Sequence, residues 1–341
     1  MIEKDLIKTI FYEPIMNGAD TLCIISGYAA PNMASWLLKY IDELDFKIKK
    51  PIDIILIVGM TSKGISLTAH EGFKNLVLNT FTNKVNSFSC QYIYQNKPVH
   101  TKMYIWLKDN VPFAAYIGSA DFIQSSFSGS TREVMVKCSP DTAFEYFNKV
   151  EADSIYCSHA EIEEYIQIFA DDEIFDENNN LIKDMSADNI SSVTLSLLDS
   201  RTGRTHTAGG LNWGQRVNRY TLKDGSISER SRNPNEAYIP LPKKIASNGF
   251  FPLNKQHFTV ITDDNHQLIL RVEQQGDKAI TTPQSNALLG EYFRNRLHLQ
   301  NGEYITLEHL KRHGRTDVTF YKLDDEHFYM DFSTEKQIGD L

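Results

Sequence analysis

The sequence has few cysteines and no long apolar run. Its four cysteines (Cys23, Cys90, Cys138 and Cys157) are far apart and form no CxxC pair. Such spacing does not suit a zinc site and indicates buried free thiols in a reducing cytoplasm. The longest apolar run, residues 52–60, is too short to cross a bilayer. The first residues, which include Glu3 and Asp5, do not resemble a secretory signal. We therefore expect a cytoplasmic protein that has no membrane partner and no bound metal.

The chain also lacks an overall basic charge, the simplest sign of a nucleic-acid partner. Its net charge is −9. The charge is uneven, however, because residues 201–298 contain 14 Lys and Arg but only 8 Asp and Glu. A basic segment inside an acidic protein is typical of a localised phosphate-binding surface. The composition is therefore compatible with nucleic-acid binding by the C-terminal half.

Strand-like and helix-like patterns alternate through the first 170 residues. Buried strands are predicted at 21–28 and 52–59, and amphipathic helices follow at Pro31 and near 68–81. Three further strand-like runs come next, FSCQYIY, VHTKMYIWL and FAAYIGSA. Helical patterns return at 141–150 and 159–169. This order predicts an α/β sandwich with a mixed sheet.

The sequence pattern changes after the segment DDEIFDENNN at 171–180, which is polar and acidic. We interpret residues 171–185 as a linker between a domain at 1–170 and a domain at 186–341. The second domain has short strands and turns, including a hairpin formed by HFTVIT and QLILRVE. Helices are predicted at about 285–297 and 306–313, the latter with Thr306 as N-cap and Gly314 just beyond its end. A mainly β, barrel-like domain is expected.

The chemistry of the first domain is concentrated between residues 99 and 133. His100 and Lys102 are two residues apart on a predicted strand, so their side chains leave the same face. Ser119 and Asp121 follow Gly118 at the end of the next strand, and Glu133 follows a Ser/Gly-rich loop. An imidazole can attack phosphorus directly, while a lysine and a hydroxyl stabilise the charge that builds on the phosphate oxygens. A carboxylate on the other ring nitrogen would fix the tautomer.

These residues resemble the HxK…GSxN…E signature of the phospholipase D superfamily. The resemblance implies that His100 is the nucleophile, that Lys102 and Ser119 bind phosphate, and that Glu133 is the partner of His100. Two positions depart from the pattern: Leu107 stands where the family often has aspartate, and Asp121 where it has asparagine. A carboxylate is a poor phosphate ligand, so we expect Asp121 to pair with Lys102.

Only one HxK occurs in the predicted domain at 1–170, whereas the mechanism needs a second histidine to protonate the leaving oxygen. We therefore predict a homodimer in which two copies share one composite site on a two-fold axis. No metal is expected at the nuclease site.

Three polar segments of the second domain concentrate Asn, Gln and Arg: GGLNWGQRVNRY (209–220), RNPNEAYIPLP (232–242) and EQQGDKAITTPQSN (273–286). Such side chains can form bidentate hydrogen bonds with base edges. The start of the helix near Asn286 is a candidate site for a phosphate. Arg294 and Arg296 fit either phosphate contacts or a solvated helix face.

The motifs GLNWGQR, NEAYIPLP and NALLGEYFRNRL resemble the C-terminal halves of phospholipase D-type restriction endonucleases of the BfiI and NgoFVII kind. The resemblance implies a plant B3-like pseudobarrel that holds double-stranded DNA with two arms, here about 209–235 and 273–286. Trp213 is expected to support the first arm by packing. The candidate DNA-binding residues are Asn212, Trp213, Gln215, Arg216, Arg219, Arg232, Asn233, Gln274, Gln275, Asp277, Lys278 and Asn286.

The expected function is hydrolysis of DNA phosphodiesters at or near a short recognised sequence, with a cognate DNA methyltransferase as companion enzyme. The chain has no GxxxxGK[ST] motif, so ATP and Mg²⁺ would enter only through a separate translocase partner. One alternative is a DNA-binding protein whose nuclease domain is inactive, and another is a phospholipid-hydrolysing enzyme. A further hypothesis is that the acidic linker occupies the catalytic cleft until DNA displaces it.

Overall fold

The two halves of the chain differ in secondary structure in the computed structural model. Residues 1–45, 48, 50–79, 82–169, 190–216, 218–221, 227–230 and 232–334 are described by the structure. The chain divides into two units, Met1–Ile182 and Lys183–Leu341. The predicted linker lies outside the described residues, as do its acids Asp171, Asp172, Glu173, Asp176 and Glu177.

The first unit alternates strands and helices. Its strands are β1 (Thr21–Ser26), β2 (Ile52–Val58), β3 (Ile65–Ser66), β4 (Val85–Ile93), β5 (Met103–Lys108), β6 (Val111–Gly118), β7 (Met135–Cys138), β8 (Ser154–Tyr156) and β9 (Ile168–Phe169). A π-helical stretch (Ile7–Tyr12) precedes the helices α1 (Glu13–Met16), α2 (Pro31–Asp42), α3 (Leu67–Asn79), α4 (Gln124–Ser128), α5 (Pro140–Glu151) and α6 (Ile162–Tyr165).

Seven of these strands form one mixed sheet in the order β7-β6-β5-β1-β2-β4-β8. Strands β1, β2 and β4 are parallel because α2 and α3 carry the chain back between them. The pairs β1–β5, β5–β6 and β6–β7 are antiparallel. This architecture confirms the predicted α/β sandwich with a mixed sheet.

Side chains of β5 alternate between the two faces of this sheet. Ile105 belongs to a buried cluster that includes Phe147 of α5. Trp106 faces the opposite side, where its indole N–H donates to the carbonyl of Ile10 in the π-helical stretch at 2.6 Å. Both faces are therefore covered by helices, and the apolar strand interiors that the sequence shows are buried on either side.

Several predicted boundaries need correction. The strand expected from Val99 onward begins at Met103, so His100 and Lys102 precede it. The helix expected at 159–169 is limited to α6. Strand β7 and the N-terminal helices were not predicted. All four cysteines are free, as expected, and burial raises the pKa of the Cys23 thiol to about 12.

The second unit is mainly β. Its strands are β10 (Ser192–Ser196), β11 (Leu198–Asp199), β12 (Arg204–Thr205), β13 (Asn218–Thr221), β14 (Ile227–Arg230), β15 (Ile239–Pro240), β16 (His257–Thr262), β17 (Gln267–Glu273), β18 (Ala279–Thr281), β19 (Asp317–Lys322) and β20 (His327–Asp331). Its helices are a 3-10 helix (Gly210–Gln215), α7 (Lys243–Ala246), α8 (Asn286–Arg296) and α9 (Leu307–His313).

Seven strands of this unit follow the order β10-β19-β20-β16-β17-β18-β15, and the two end strands contact each other. The sheet therefore curls into a nearly closed barrel, as predicted, and the hairpin β16–β17 is confirmed. Aromatic rings fill its interior: Phe328 lies 5.0 Å from Phe258 and 5.5 Å from Phe251, centroid to centroid. Such rings bury large apolar areas and prefer these offset distances.

The two predicted helices of this unit are confirmed. Helix α9 begins with a capping box in which the Thr306 hydroxyl accepts from the His309 N–H, and Gly314 ends it in the left-handed region at φ 105°. Helix α8 is capped by Ser285. None of the helices in the described part of the chain is long and apolar enough to span a membrane.

Candidate active site and nucleic-acid interface

One edge of the first sheet gathers the residues that the sequence singled out. Strand β5 is antiparallel to β1, β6 is antiparallel to β5, and β7 is antiparallel to β6. The end of β1, the start of β5, the end of β6 and the start of β7 therefore share this edge. His100 and Lys102 precede β5, Ser119 and Asp121 follow β6, and Glu133 precedes β7. Strand order thus brings together residues that are up to 33 positions apart in the chain.

His100 and Lys102 are in direct contact. The ammonium Nζ of Lys102 lies 2.9 Å from Nε2 of His100 and 3.0 Å from the His100 carbonyl oxygen. An ammonium group can only donate, so Nε2 is the acceptor and a neutral imidazole carries its proton on Nδ1. The imidazole is exposed, whereas Lys102 is only 8% exposed. The Nε2 lone pair is therefore the one available to an electrophile once Lys102 moves to a phosphate oxygen.

Asp121 is held by three groups. Its Oδ1 accepts from the Ser26 hydroxyl at 3.0 Å and from the Tyr28 N–H at 2.9 Å, both at the end of β1. Its Oδ2 lies 3.4 Å from Nζ of Lys102, so the expected ion pair is present. An aspartate at this position supplies only acceptors, which suits these three donors. Asp121 therefore positions Lys102 and ties the end of β6 to the end of β1.

Glu133 contacts hydroxyl groups. Its Oε2 accepts from Ser119, and its Oε1 accepts from Thr131 at 2.9 Å and Ser126 at 3.4 Å. The hydrogen bond to His100 that the family resemblance implies is not among the contacts of the described residues. The Ser119 hydroxyl also accepts from the Val134 N–H at 3.0 Å. Ser119 would therefore have to release Glu133 to donate to a phosphate, and both assigned roles remain predictions.

Tyr104 lies beneath this edge and was not anticipated from the sequence. Its hydroxyl donates to the carbonyl of Ala120 at 3.0 Å, between Ser119 and Asp121. Burial, with Asp121 and Glu133 nearby, raises the pKa of Tyr104 well above its usual value. The phenol therefore remains a proton donor and fixes the turn that follows β6.

Ser26, Gly27 and Tyr28 also belong to the site, although only the end of a buried strand was predicted there. A Cβ atom on Gly27 would lie 2.8 Å from Cδ2 of His100, so glycine is what allows the imidazole to pack against β1. A glycine directly after a buried strand is the one sequence signal of this close approach. Within the described residues, no group of three His, Cys, Asp or Glu side chains could hold a metal ion.

In the second unit, Asn212 is fully buried. Its Nδ2 donates to the carbonyls of His206 at 2.9 Å and Ile305 at 2.8 Å, and its Oδ1 accepts from the Ile305 N–H at 2.9 Å. Gln215 likewise donates to the Gly302 carbonyl at 3.0 Å. The prediction that Asn212 reads a base is therefore wrong for this conformation, because backbone groups use its whole amide. Gln215 has the same structural function in part.

The other predicted residues near the first arm differ in accessibility. The guanidinium of Arg232 lies 4.2 Å from the Trp213 ring centroid and pairs with Glu236 at 2.8 Å. Trp213 also packs edge-on against Tyr238, as a supporting residue should. Arg216 and Asn233 are exposed, and the Asn233 Oδ1 accepts from the Asn235 N–H at 2.9 Å. The side chain of Arg219 lies outside the described residues.

The predicted second arm, 273–286, begins with an exposed turn between β17 and β18, whereas its residues 279–283 are buried. Gln274, Gln275 and Lys278 are exposed, and Asp277 is half-buried. Gln274 and Asp277 have positive φ values of 71° and 54°, which make the turn tight. This placement suits the predicted contact with DNA.

The start of helix α8, where a phosphate site was predicted, has N–H groups that already have partners. Its first N–H groups are satisfied by hydroxyls, since Ala287 N donates to Ser285 at 3.3 Å and Leu289 N to Thr282 at 3.3 Å. The backbone carbonyl of Asn286, a predicted DNA-binding residue, accepts from the Ala237 N–H, and its side chain is half-buried. The capped helix start thus has fewer free donors for an anion.

Arg294 and Arg296 are neither solvated nor available to phosphate. Arg294 is 0% exposed and donates to the carbonyls of Glu303, Gly290 and Pro234 at 2.8, 3.1 and 3.2 Å. Arg296 pairs with Asp263 at 2.6 Å. Both interpretations of these arginines are therefore wrong, because the turn of α8 directs both side chains into the domain.

Comparisons with known proteins give one family model for each half of the chain. A family model for the NgoFVII restriction endonuclease N-terminal PLD domain matches residues 4–164, and one for the NgoFVII C-terminal B3-like DNA-binding domain matches residues 185–324. A search of curated proteins gives no match. Among solved structures, NucT from Helicobacter pylori is similar with a TM-score of 0.30 and 11% sequence identity, over 46% of this chain and 96% of that chain. The resemblance stated from the sequence is confirmed by the two family matches.

The packing of His100 against Gly27 leads to a test. We expect Gly27→Ala to displace the imidazole and to lower phosphodiesterase activity by about 10- to 100-fold, since small misplacements of a reacting group have such effects. The melting temperature should change little, because the new methyl group meets the end of an exposed side chain. Full activity together with an unchanged melting temperature would show that this contact does not position His100.

The burial of Asn212 leads to a second test. Asn212→Ala leaves buried backbone groups unpaired, so we expect the free energy of unfolding in urea to fall by about 2–4 kcal/mol. Gln275→Ala, at an exposed turn, should change it by less than about 0.5 kcal/mol. Equal stability of Asn212→Ala and the wild type would restore Asn212 as a candidate base contact.

Proposed function

We propose, since the chain belongs to the NgoFVII restriction endonuclease family, that it cuts double-stranded DNA at or near a short sequence read by its second domain. The family establishes a sequence-specific nuclease in outline. The finer proposal is that cutting proceeds through a phosphohistidine and uses no metal at the nuclease site. The observation that carries it is the contact of the exposed His100 Nε2 with the Lys102 ammonium, 2.9 Å away.

The proposed first step is attack of His100 Nε2 on phosphorus. A phosphate entering the site attracts Lys102 away from the imidazole and onto a non-bridging oxygen, which exposes the Nε2 lone pair. The N–P bond then forms as the P–O bond to the leaving nucleoside breaks. The leaving oxygen takes a proton from a second imidazolium, which comes from His100 of a second copy. Water then attacks phosphorus, gives its proton to that second imidazole, and releases His100.

Asp121 supports this reaction through Lys102. Its carboxylate holds the ammonium beside His100 before DNA arrives, so the lysine does not have to be ordered during the reaction. Ser119 and Glu133 are proposed to complete the site after their hydrogen bond rearranges. The exposed residues of the two predicted arms, Arg216 and Gln275 among them, are proposed to contact DNA.

The proposed partners are double-stranded DNA, a second copy of the chain, and a methyltransferase that protects host DNA. The chain contains no P-loop motif, so ATP-driven translocation would require a separate protein. Cytoplasmic localisation is proposed with them, since DNA is the substrate.

Cleavage of a mixed-sequence plasmid in EDTA tests this function. We expect discrete fragments from the wild type and none from His100→Ala, because the nucleophile is lost. His159→Ala, an exposed histidine outside the site, is the matched control and should cut as the wild type does. Fragments that require Mg²⁺ would refute metal independence. If nothing is cut even with Mg²⁺, ATP and candidate translocases, but DNA is bound specifically, the domain is an inactive nuclease.

The composite site has its own test. Wild type and His100→Ala are co-expressed in equal amounts, so that random pairing leaves about one quarter of the dimers with two histidines. We expect the specific activity to be about one quarter of the wild-type value. A value near one half, or an active monomer in sedimentation, would show that each chain works alone.

A further inference from the structure

Tyr28 is an exposed aromatic residue directly beside the candidate nucleophile. Its side chain is 54% exposed. Its ring centroid lies 5.8 Å from that of His100, with the ring planes at 83°. An accessible ring at this distance from the His100 ring is within reach of the nucleotide whose phosphate His100 would attack.

The backbone around Tyr28 is fixed on both sides. Its N–H donates to Asp121 at 2.9 Å, and its carbonyl lies 2.5 Å from the Ser26 hydroxyl, whose one proton it shares with Asp121. Two residues later, Ala30 N donates to the Phe122 carbonyl at 3.0 Å, and Pro31 begins α2. The ring is therefore presented by an ordered backbone, so little backbone freedom remains to be lost when a ligand stacks on it.

The same contacts link the ring to the reacting groups. Asp121 binds Tyr28 through one oxygen and Lys102 through the other, so the ring and the lysine share one carboxylate. Gly27 lets His100 pack against this backbone. Tyr28, Lys102 and His100 consequently keep fixed relative positions, as a group that aligns a substrate requires.

We propose that Tyr28 stacks on the base next to the scissile phosphate and so positions the strand for attack by His100. This inference rests on the proposed function and adds a positioning residue to it. Stacking on an aromatic ring accepts every base, because each base has a π-face. The first domain would thus hold whichever base flanks the cut, and the choice of sequence would remain with the second domain.

The test is a double-mutant cycle in which the Tyr28 ring, the DNA base, or both are removed. After the cut is located, the cleavage efficiency kcat/KM is measured on intact DNA and on DNA with abasic sites flanking the cut. We expect Tyr28→Ala to lower kcat/KM on intact DNA by about 10- to 100-fold. On abasic DNA, the wild type should already be as slow, and Tyr28→Ala should lose nothing further. Tyr28→Phe, which keeps the ring, should stay within about threefold of the wild type on intact DNA.

The matched control is Tyr156→Ala. Tyr156 has 53% exposure and lies on β8, the outermost strand of the sheet on the side away from β5. This variant should cut as the wild type does. Wild-type cutting by Tyr28→Ala would overturn this inference alone. An equal loss on intact and abasic DNA, or loss of the dimer in sedimentation, would also overturn it, since the ring would then have a structural role. If the wild type cuts no DNA under any condition, the proposed function fails and this inference with it.

Discussion

The candidate site depends on one carboxylate. Asp121 accepts from the Ser26 hydroxyl and the Tyr28 N–H and pairs with the Lys102 ammonium, so it joins the ends of β1 and β6 to the residue before β5. All three donors are partly buried or belong to the backbone. Removing the Asp121 carboxylate would therefore leave these donors without this partner. The aspartate that departs from the family pattern is thus well matched to the groups around it. It provides the fixed frame in which His100 and Lys102 meet.

The second domain depends in a similar way on buried polar side chains that bind backbone groups. Asn212 bridges His206 and Ile305, and Arg294 donates to three carbonyl oxygens. A Cβ atom on Gly290 would lie 1.8 Å from the Asn235 carbonyl oxygen, so glycine is required within α8. The motifs that carry the family resemblance therefore build the base of the loops that are predicted to bind DNA. Contact with DNA is proposed for the neighbouring exposed residues.

The two domains divide the proposed task. The first has an exposed imidazole and a neighbouring lysine, which suit any phosphodiester and carry no sequence information. The second has exposed turns rich in Asn, Gln and Arg, which suit base edges. Cutting chemistry and sequence choice thus come from separate sets of residues.

Local patterns in the sequence determined most of the strands and helices, the mixed sheet and the barrel-like second domain, and they singled out the HxK motif. They did so because strand and helix periodicity and the order of elements are properties of neighbouring residues. Only the tertiary structure decided which polar residues are buried. Asn212 and Arg294 look like ligand-binding residues by composition, yet each faces backbone groups from distant segments. The tertiary structure also decided two contacts of the candidate site: Tyr28 packs against His100, 72 positions downstream, and Glu133 accepts from Ser119, 14 positions upstream. A side chain's partner across strands is set by register and packing, which the composition of a single segment does not encode.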